Sequence, residues 1–77
     1  MKKEDFLLLL DELIEVEPGT LTGQEKLQYL ESFDSLAAVG FIALTDEKFG
    51  IILSPNKIAN CKTIEDLIAL VGDKITP

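Results

Sequence analysis

The stretch Leu36-Ala37-Ala38-Val39-Gly40-Phe41-Ile42-Ala43-Leu44 carries neither a charge nor a hydroxyl. Such a run has to leave water along most of its length. It can do so as a packed helix or as a short buried strand, and periodicity alone does not separate the two. The flanks arbitrate. Asp34 and Ser35 are both good N-cap residues. The run continues through Thr45-Asp46-Glu47-Lys48 to Phe49-Gly50, where glycine suits the C′ position of a helix end. About fourteen residues between cap and glycine stop are too many for an ordinary strand, so a helix is expected. An Asp-Ser pair at its opening puts a serine hydroxyl at the helix end, facing solvent.

The other segments read as helices and connections. Between Lys3 and Glu15, residues Phe6, Leu9, Leu10, Leu13 and Ile14 follow the i, i+3/i+4, i+7/i+8 spacing of an amphipathic helix. Glu4 and Asp5 lie in its first turn, where the helix dipole favours negative charge, and Pro18-Gly19 ends it. Val16 to Phe33 is a long connection with Leu21, Leu27, Tyr29, Leu30 and Phe33 as apolar anchors, and with a helical turn expected around Gln24 to Leu30. Loops this long are uncommon in compact domains and are often functional. Ile51-Ile52-Leu53 lacks a hairpin partner and is expected as an extended linker. Ser54-Pro55 sets a cap and a proline at N1 of a short helix through Asn60. Thr63-Ile64-Glu65-Asp66 approaches a capping box. The helix it opens carries Ile64, Leu67, Ile68 and Val71 on one face and frays near Gly72. The fold class is all-α: a four-helix bundle, three helices long and one short, with a long first loop. Residues 1–77 form one domain, since chains divide only at several times this length.

Charge and residue types narrow the function. Fourteen acidic against seven basic residues give a net charge of −7. That surface repels nucleic acid, keeps the chain soluble, and steers it toward basic partner sites in a salt-dependent way. With no histidine, the commonest general base and the Ser-His and Cys-His dyads are missing, so autonomous catalysis is not expected. Cys61 has no disulfide partner and no metal cluster is expected; it reads as a core cysteine rather than a reactive thiol. Met1-Lys2-Lys3 runs directly into Glu4-Asp5 without a signal-peptide pattern, and Leu7 to Leu10 is too short to span a bilayer. A soluble, cytoplasmic monomer is expected.

In this setting Asp34-Ser35-Leu36 resembles the attachment site of the acyl carrier proteins, whose serine carries a 4′-phosphopantetheine arm. The resemblance covers essentially the whole chain and is gapless from Ser35 to Leu67. It includes Val39, the Asp46-Glu47 pair, Phe49 closing the second helix, and the Thr63-Ile64 start of the last one. It implies that Ser35 bears the covalent arm, with Asp34 and Leu36 completing the cofactor-binding position. Asp34's counterpart lies close to the Mg²⁺ used by the modifying transferase, in keeping with a hard cation's preference for carboxylate oxygen; no resident metal is implied. The arm's thiol would hold acyl groups as thioesters. The implied partners are a phosphopantetheinyl transferase and acyl-transferring or acyl-modifying enzymes of fatty acid, lipid or polyketide biosynthesis. The implied docking face is Ala37, Val39, Gly40, Phe41, Asp46 and Glu47. Physical chemistry agrees on one point: a phosphodiester on Ser35 would meet unpaired N–H groups and the positive end of a helix dipole.

Some positions depart from that family. Ala37 and Gly40 stand where acidic side chains are usual in members serving fatty acid synthesis. Ser32 replaces a common glycine, Phe33 is bulkier than is typical, and Lys48 takes the place of a third acidic residue. An exposed apolar front of this kind marks a contact surface, which suggests a specialised carrier. The alternative is that Ala37, Ala38 and Gly40 admit another helix at close range. Gly40 also costs the helix about 1 kcal/mol relative to alanine. Phe6, Leu10, Val39, Ile42, Phe49, Ile58, Cys61, Leu67 and Ile68 are candidates to line an interior acyl site, and plain core packing explains them equally. Two other functions remain: an aminoacyl or peptidyl carrier using the same serine, and an unmodified helical interaction module whose Leu36–Leu44 surface binds a partner helix.

Overall fold

In the computed structural model, which describes all 77 residues, the chain forms four α-helices and no strand. They are α1 (Lys3–Leu13), α2 (Ser35–Phe49), α3 (Pro55–Ala59) and α4 (Ile64–Val71), with short 3₁₀ turns at Leu27–Tyr29 and Gly72–Lys74. None is long and apolar enough to cross a membrane.

The α1 helix stops before its proline does the stopping. Its last intrahelical-type bond runs from the Ile14 N–H to the Leu10 carbonyl, and Glu15 takes a left-handed φ of 61°. What then fixes the first loop is a carboxylate the sequence pattern did not single out. Asp11 is almost fully buried, and its two oxygens accept the N–H groups of Gly19 (2.9 Å) and Leu21 (3.0 Å). A buried charge is tolerable only when paired or hydrogen-bonded in this way. The loop thereby returns to the core and buries Leu21.

Further along, Glu25 accepts the N–H groups of Thr22 and Gly23 and the Thr22 hydroxyl, all within 3.0 Å. Backbone bonds from Leu27 to Lys62, from Ile64 to Glu25 and from Glu65 to Gly23 stitch this loop to the start of α4. Leu27, Leu30 and Phe33 pack against the core, as anchors should. Tyr29 does not. It is 72% exposed, because the 3₁₀ turn directs Leu27 inward and leaves Tyr29 beside Lys26 at the surface.

The strand alternative for Val39–Leu44 is excluded by α2, whose N-cap is Asp34 and whose end is a left-handed Gly50 (φ 68°) donating to the Asp46 carbonyl at 2.9 Å. Ile51–Leu53 is extended, as expected. Proline occupies the start of α3, but the Ser54 side chain makes no cap bond and only its carbonyl serves the helix. At α4 the capping box is complete: Thr63 Oγ accepts from Asp66, and the Asp66 carboxylate accepts the N–H groups of Thr63 and Lys62.

The core gathers Phe6 and Leu10 from α1 with Ile14 at its C-cap, Phe41 and Ala37 from α2, Ile58 from α3, and Ile64, Leu67, Ile68 and Val71 from α4. The Phe6 ring sits at its centre, edge-on to Phe41 (6.1 Å between centroids) and tilted to Phe49 (5.8 Å). Each fully buried side chain of this size contributes roughly 1.5–3 kcal/mol. The two chain ends close the structure on the same side. Lys3 donates to the Thr76 carbonyl (2.7 Å), Thr76 donates to the Met1 carbonyl (2.8 Å), and the Lys3 ammonium reaches Glu65 at 2.8 Å.

Candidate functional site

The opening of α2 is built by Asp34. Its backbone is extended (φ −95°, ψ −171°), its Oδ1 accepts the Ala37 N–H at 2.9 Å, and its carbonyl accepts the Ala38 N–H at 3.0 Å. Ser35 is the first helical residue and is exposed. No turn, loop or cap bond uses the N–H of Ser35 or Leu36. Those groups carry the partial positive charge of the helix end and face outward. The hydroxyl of Ser35 is therefore accessible, fixed on a rigid element, and placed where an attached anion is favoured. An esterified phosphate fits there.

Helix geometry sorts the expected docking residues into two sets. Leu36 is 77% exposed and Val39 is 61% exposed, so both stand on the outer face beside Ser35. Asp46 and Glu47 are exposed at the far end of α2. Phe41 is not on that face: it is completely buried against Phe6, and its reading as a docking residue is corrected. Ala37 is also buried, at 7% exposure, and contributes no side chain to the outer face. Gly40 is half-buried because α1 crosses it; a Cβ built there would lie 2.7 Å from Leu13 Cδ1. Its smallness answers to that crossing.

The missed part of the site is the α1 side. A groove of about 390 Å³ runs between the end of α1 and the first turns of α2, lined by Leu13, Ile14 and Glu15 on one wall and Leu36, Val39 and Ala43 on the other. Ala37 and Gly40 form part of its lining, and Ser32 and Asp34 stand at its mouth. The only sequence signal for it is the small residue every third position of α2, opposite long side chains 27 residues earlier (Gly40 against Leu13).

Expected interior-lining residues fare differently. Phe6, Leu10, Leu67 and Ile68 are packed in the core, with Ile42 and Phe49 against it, and none lines any of the five principal concavities. Val39 is exposed and lines the outer groove rather than the interior. Cys61 is half-buried rather than a full core residue, and its Sγ donates to the Lys57 carbonyl at 3.3 Å. Burial, and then the Asp66 charge, push its thiol above the ordinary range, so it is held protonated and weakly nucleophilic.

A family model described as phosphopantetheine attachment site matches residues 5–71, and the chain belongs to that family. The domain is thus an attachment site for 4′-phosphopantetheine, and the protein is a phosphopantetheine-bearing carrier. Neither the curated proteins nor the solved structures contain a match.

Proposed function

We propose that Ser35 is the attachment residue and that the protein carries acyl groups, as thioesters of the arm's thiol, between partner enzymes. The observation that carries this reading is the exposed Ser35 hydroxyl on a helix end capped by the preceding aspartate, inside the matched segment. Attachment joins Ser35 Oγ to the pantetheine-side phosphorus of coenzyme A. The phosphoanhydride bond breaks, adenosine 3′,5′-bisphosphate leaves, and the hydroxyl proton passes to a base of the transferase. On this reading the base comes from the transferase, since this chain has no histidine and Asp34 Oδ1 is engaged by its own helix. Asp34 Oδ2, which makes no bond in the fold, is free to face the transferase's Mg²⁺.

Exposed Leu36 and Val39 give partners an apolar contact next to the reactive position, with Asp46 and Glu47 as the acidic margin. The uncharged front supports partners that are less basic than those of general fatty acid synthesis, hence a specialised lipid or polyketide role. Intact mass after incubation with coenzyme A, Mg²⁺ and a broad-specificity phosphopantetheinyl transferase tests the assignment. One added arm is expected, absent from Ser35→Ala; an arm retained in that variant, or a folded wild-type protein of unchanged mass, overturns it.

A further inference from the structure

We infer that the groove between α1 and α2 is a resting cradle for the pantetheine arm itself; the inference rests on the attachment of that arm at Ser35. Four observations converge on it. The first is position. Ser35 precedes Val39 by one helical turn on the same face, so the arm leaves the helix at the lip of the groove. A tethered group samples a neighbouring site at millimolar effective concentration, and weak contacts suffice to hold it.

The second is size and shape. About 390 Å³ lies in the range of small-molecule sites. From Leu36 to Ala43 the groove follows α2 for about 10 Å, at 1.5 Å per residue. That is room for the pantoyl block of the arm lying along the helix, with the thiol end extending beyond it.

The third is chemistry. Leu13, Leu36, Val39 and Ala43 supply apolar walls, and Ser32, Asp34 and Glu15 supply the polar part of the lining. Pantetheine has a matching division: a gem-dimethyl block that wants an apolar bed, and two amides whose N–H groups want acceptors such as the Glu15 carboxylate. No lysine lines the groove, and the chain is strongly acidic, which disfavours an anionic occupant and leaves a neutral one unopposed.

The fourth is the state of the interior. The Phe6–Phe41–Phe49 cluster fills the centre of the bundle, and the principal concavities avoid it. The groove is thus the apolar depression within immediate reach of the tether.

Methyl-labelled holo protein, its loading verified by mass, tests this by nuclear Overhauser contacts. Contacts from the two pantoyl methyl groups to Leu13, Val39 and Ala43 are expected. In Ala43→Glu, which puts a carboxylate into the groove at an exposed helical position, those contacts are lost. In a Cys61→Ser background, the same substitution makes the arm's thiol react severalfold faster with a bulky disulfide reagent. Gly40→Ala, which pushes Leu13 toward the groove, is expected to weaken the same contacts. An arm that loads but shows contacts to Phe6, Leu10 or Ile68, or none at all, overturns the cradle and leaves the attachment reading intact. Groove shifts that arise only when the transferase is added assign the groove to a partner protein and likewise overturn it. A Ser35 that accepts no arm overturns both.

Discussion

Two regions of the molecule are held in different ways. On the side of α4, the first loop and the chain termini, nearly every turn is pinned by a polar bond: Asp11 to Gly19 and Leu21, Glu25 to Thr22 and Gly23, Asp66 to Lys62 and Thr63, Lys3 to Glu65. On the side of Ser35, the fold spends one side-chain bond, Asp34 to Ala37, and leaves Leu36 and Val39 in water. The first region is over-determined because loops must hold their shape without helical bonds. The second is left bare, which suits the exchange of partners proposed for it. Stability and function are thus written in different residues of the same small chain, and substitutions should separate them.

The widest separation is expected within α2 itself. Phe41→Ala removes the ring that meets Phe6 and should cost about 3–5 kcal/mol of unfolding free energy. Leu36→Ala, five residues away, should change stability by less than about 0.5 kcal/mol, yet slow modification of Ser35. Urea denaturation and the transferase rate read the two effects. Equal losses of stability would erase the distinction between the faces.

The next effect belongs to the pinned region. Asp11→Ala leaves the N–H groups of Gly19 and Leu21 without acceptors, in a loop that has little else to define it. Bonds to a charged acceptor are worth about 1.5–3 kcal/mol, and a loss of that order is expected. Amide exchange at Gly19 and Leu21 should rise, while Ser35 remains modifiable once the protein is folded.

Acid should act on the same region. At Glu25, burial alone would raise the carboxyl pKa, but the N–H groups of Thr22, Glu25 and Gly23 outweigh it and bring it below the ordinary range. At Asp66, the N–H groups of Lys62 and Thr63 do the same. The unfolded chain therefore holds these two protons more tightly than the folded one. Their stabilisation is complete above the ordinary carboxylate range and is lost as pH falls through it toward the lowered folded values. The stability of Glu25→Gln/Asp66→Asn should depend less on pH between neutral and acid than that of the parent. An unchanged profile would remove these carboxylates from the account.

How much of this was legible in the sequence follows from how local each signal is. Asp34, Gly50 and the Thr63–Asp66 box act on residues three or four away, so both ends of α2 and the start of α4 could be read directly. The all-α class and an exposed serine at the start of α2 came with them. The α1 helix, by contrast, ends before the Pro18-Gly19 expected to stop it. Which way α2 faces could not be read. Its apolar residues run right round the helix, and nothing in the run distinguishes Phe41, at the core, from Val39, in solvent. Asp11 was equally silent, since its role depends on a loop that returns eight to ten residues later. Tyr29 misled because a 3₁₀ turn has room for one inward side chain, and Leu27 takes it.

The smallest effect falls on the seam between the two regions. Gly40→Ala gains about 1 kcal/mol of helix propensity. Against that, the new Cβ would approach Leu13 Cδ1 at 2.7 Å, which no relaxed contact allows. Leu13 is the flexible end of a half-buried side chain with the groove open beside it, so its methyl can swing aside without moving α1. The two terms should nearly cancel, leaving the unfolding free energy from urea denaturation within about 0.5 kcal/mol of the parent. A loss well beyond that would mean that α1 and α2 are locked here as firmly as the loops are pinned to α4, and that the bare side of the molecule begins beyond Gly40 rather than at it.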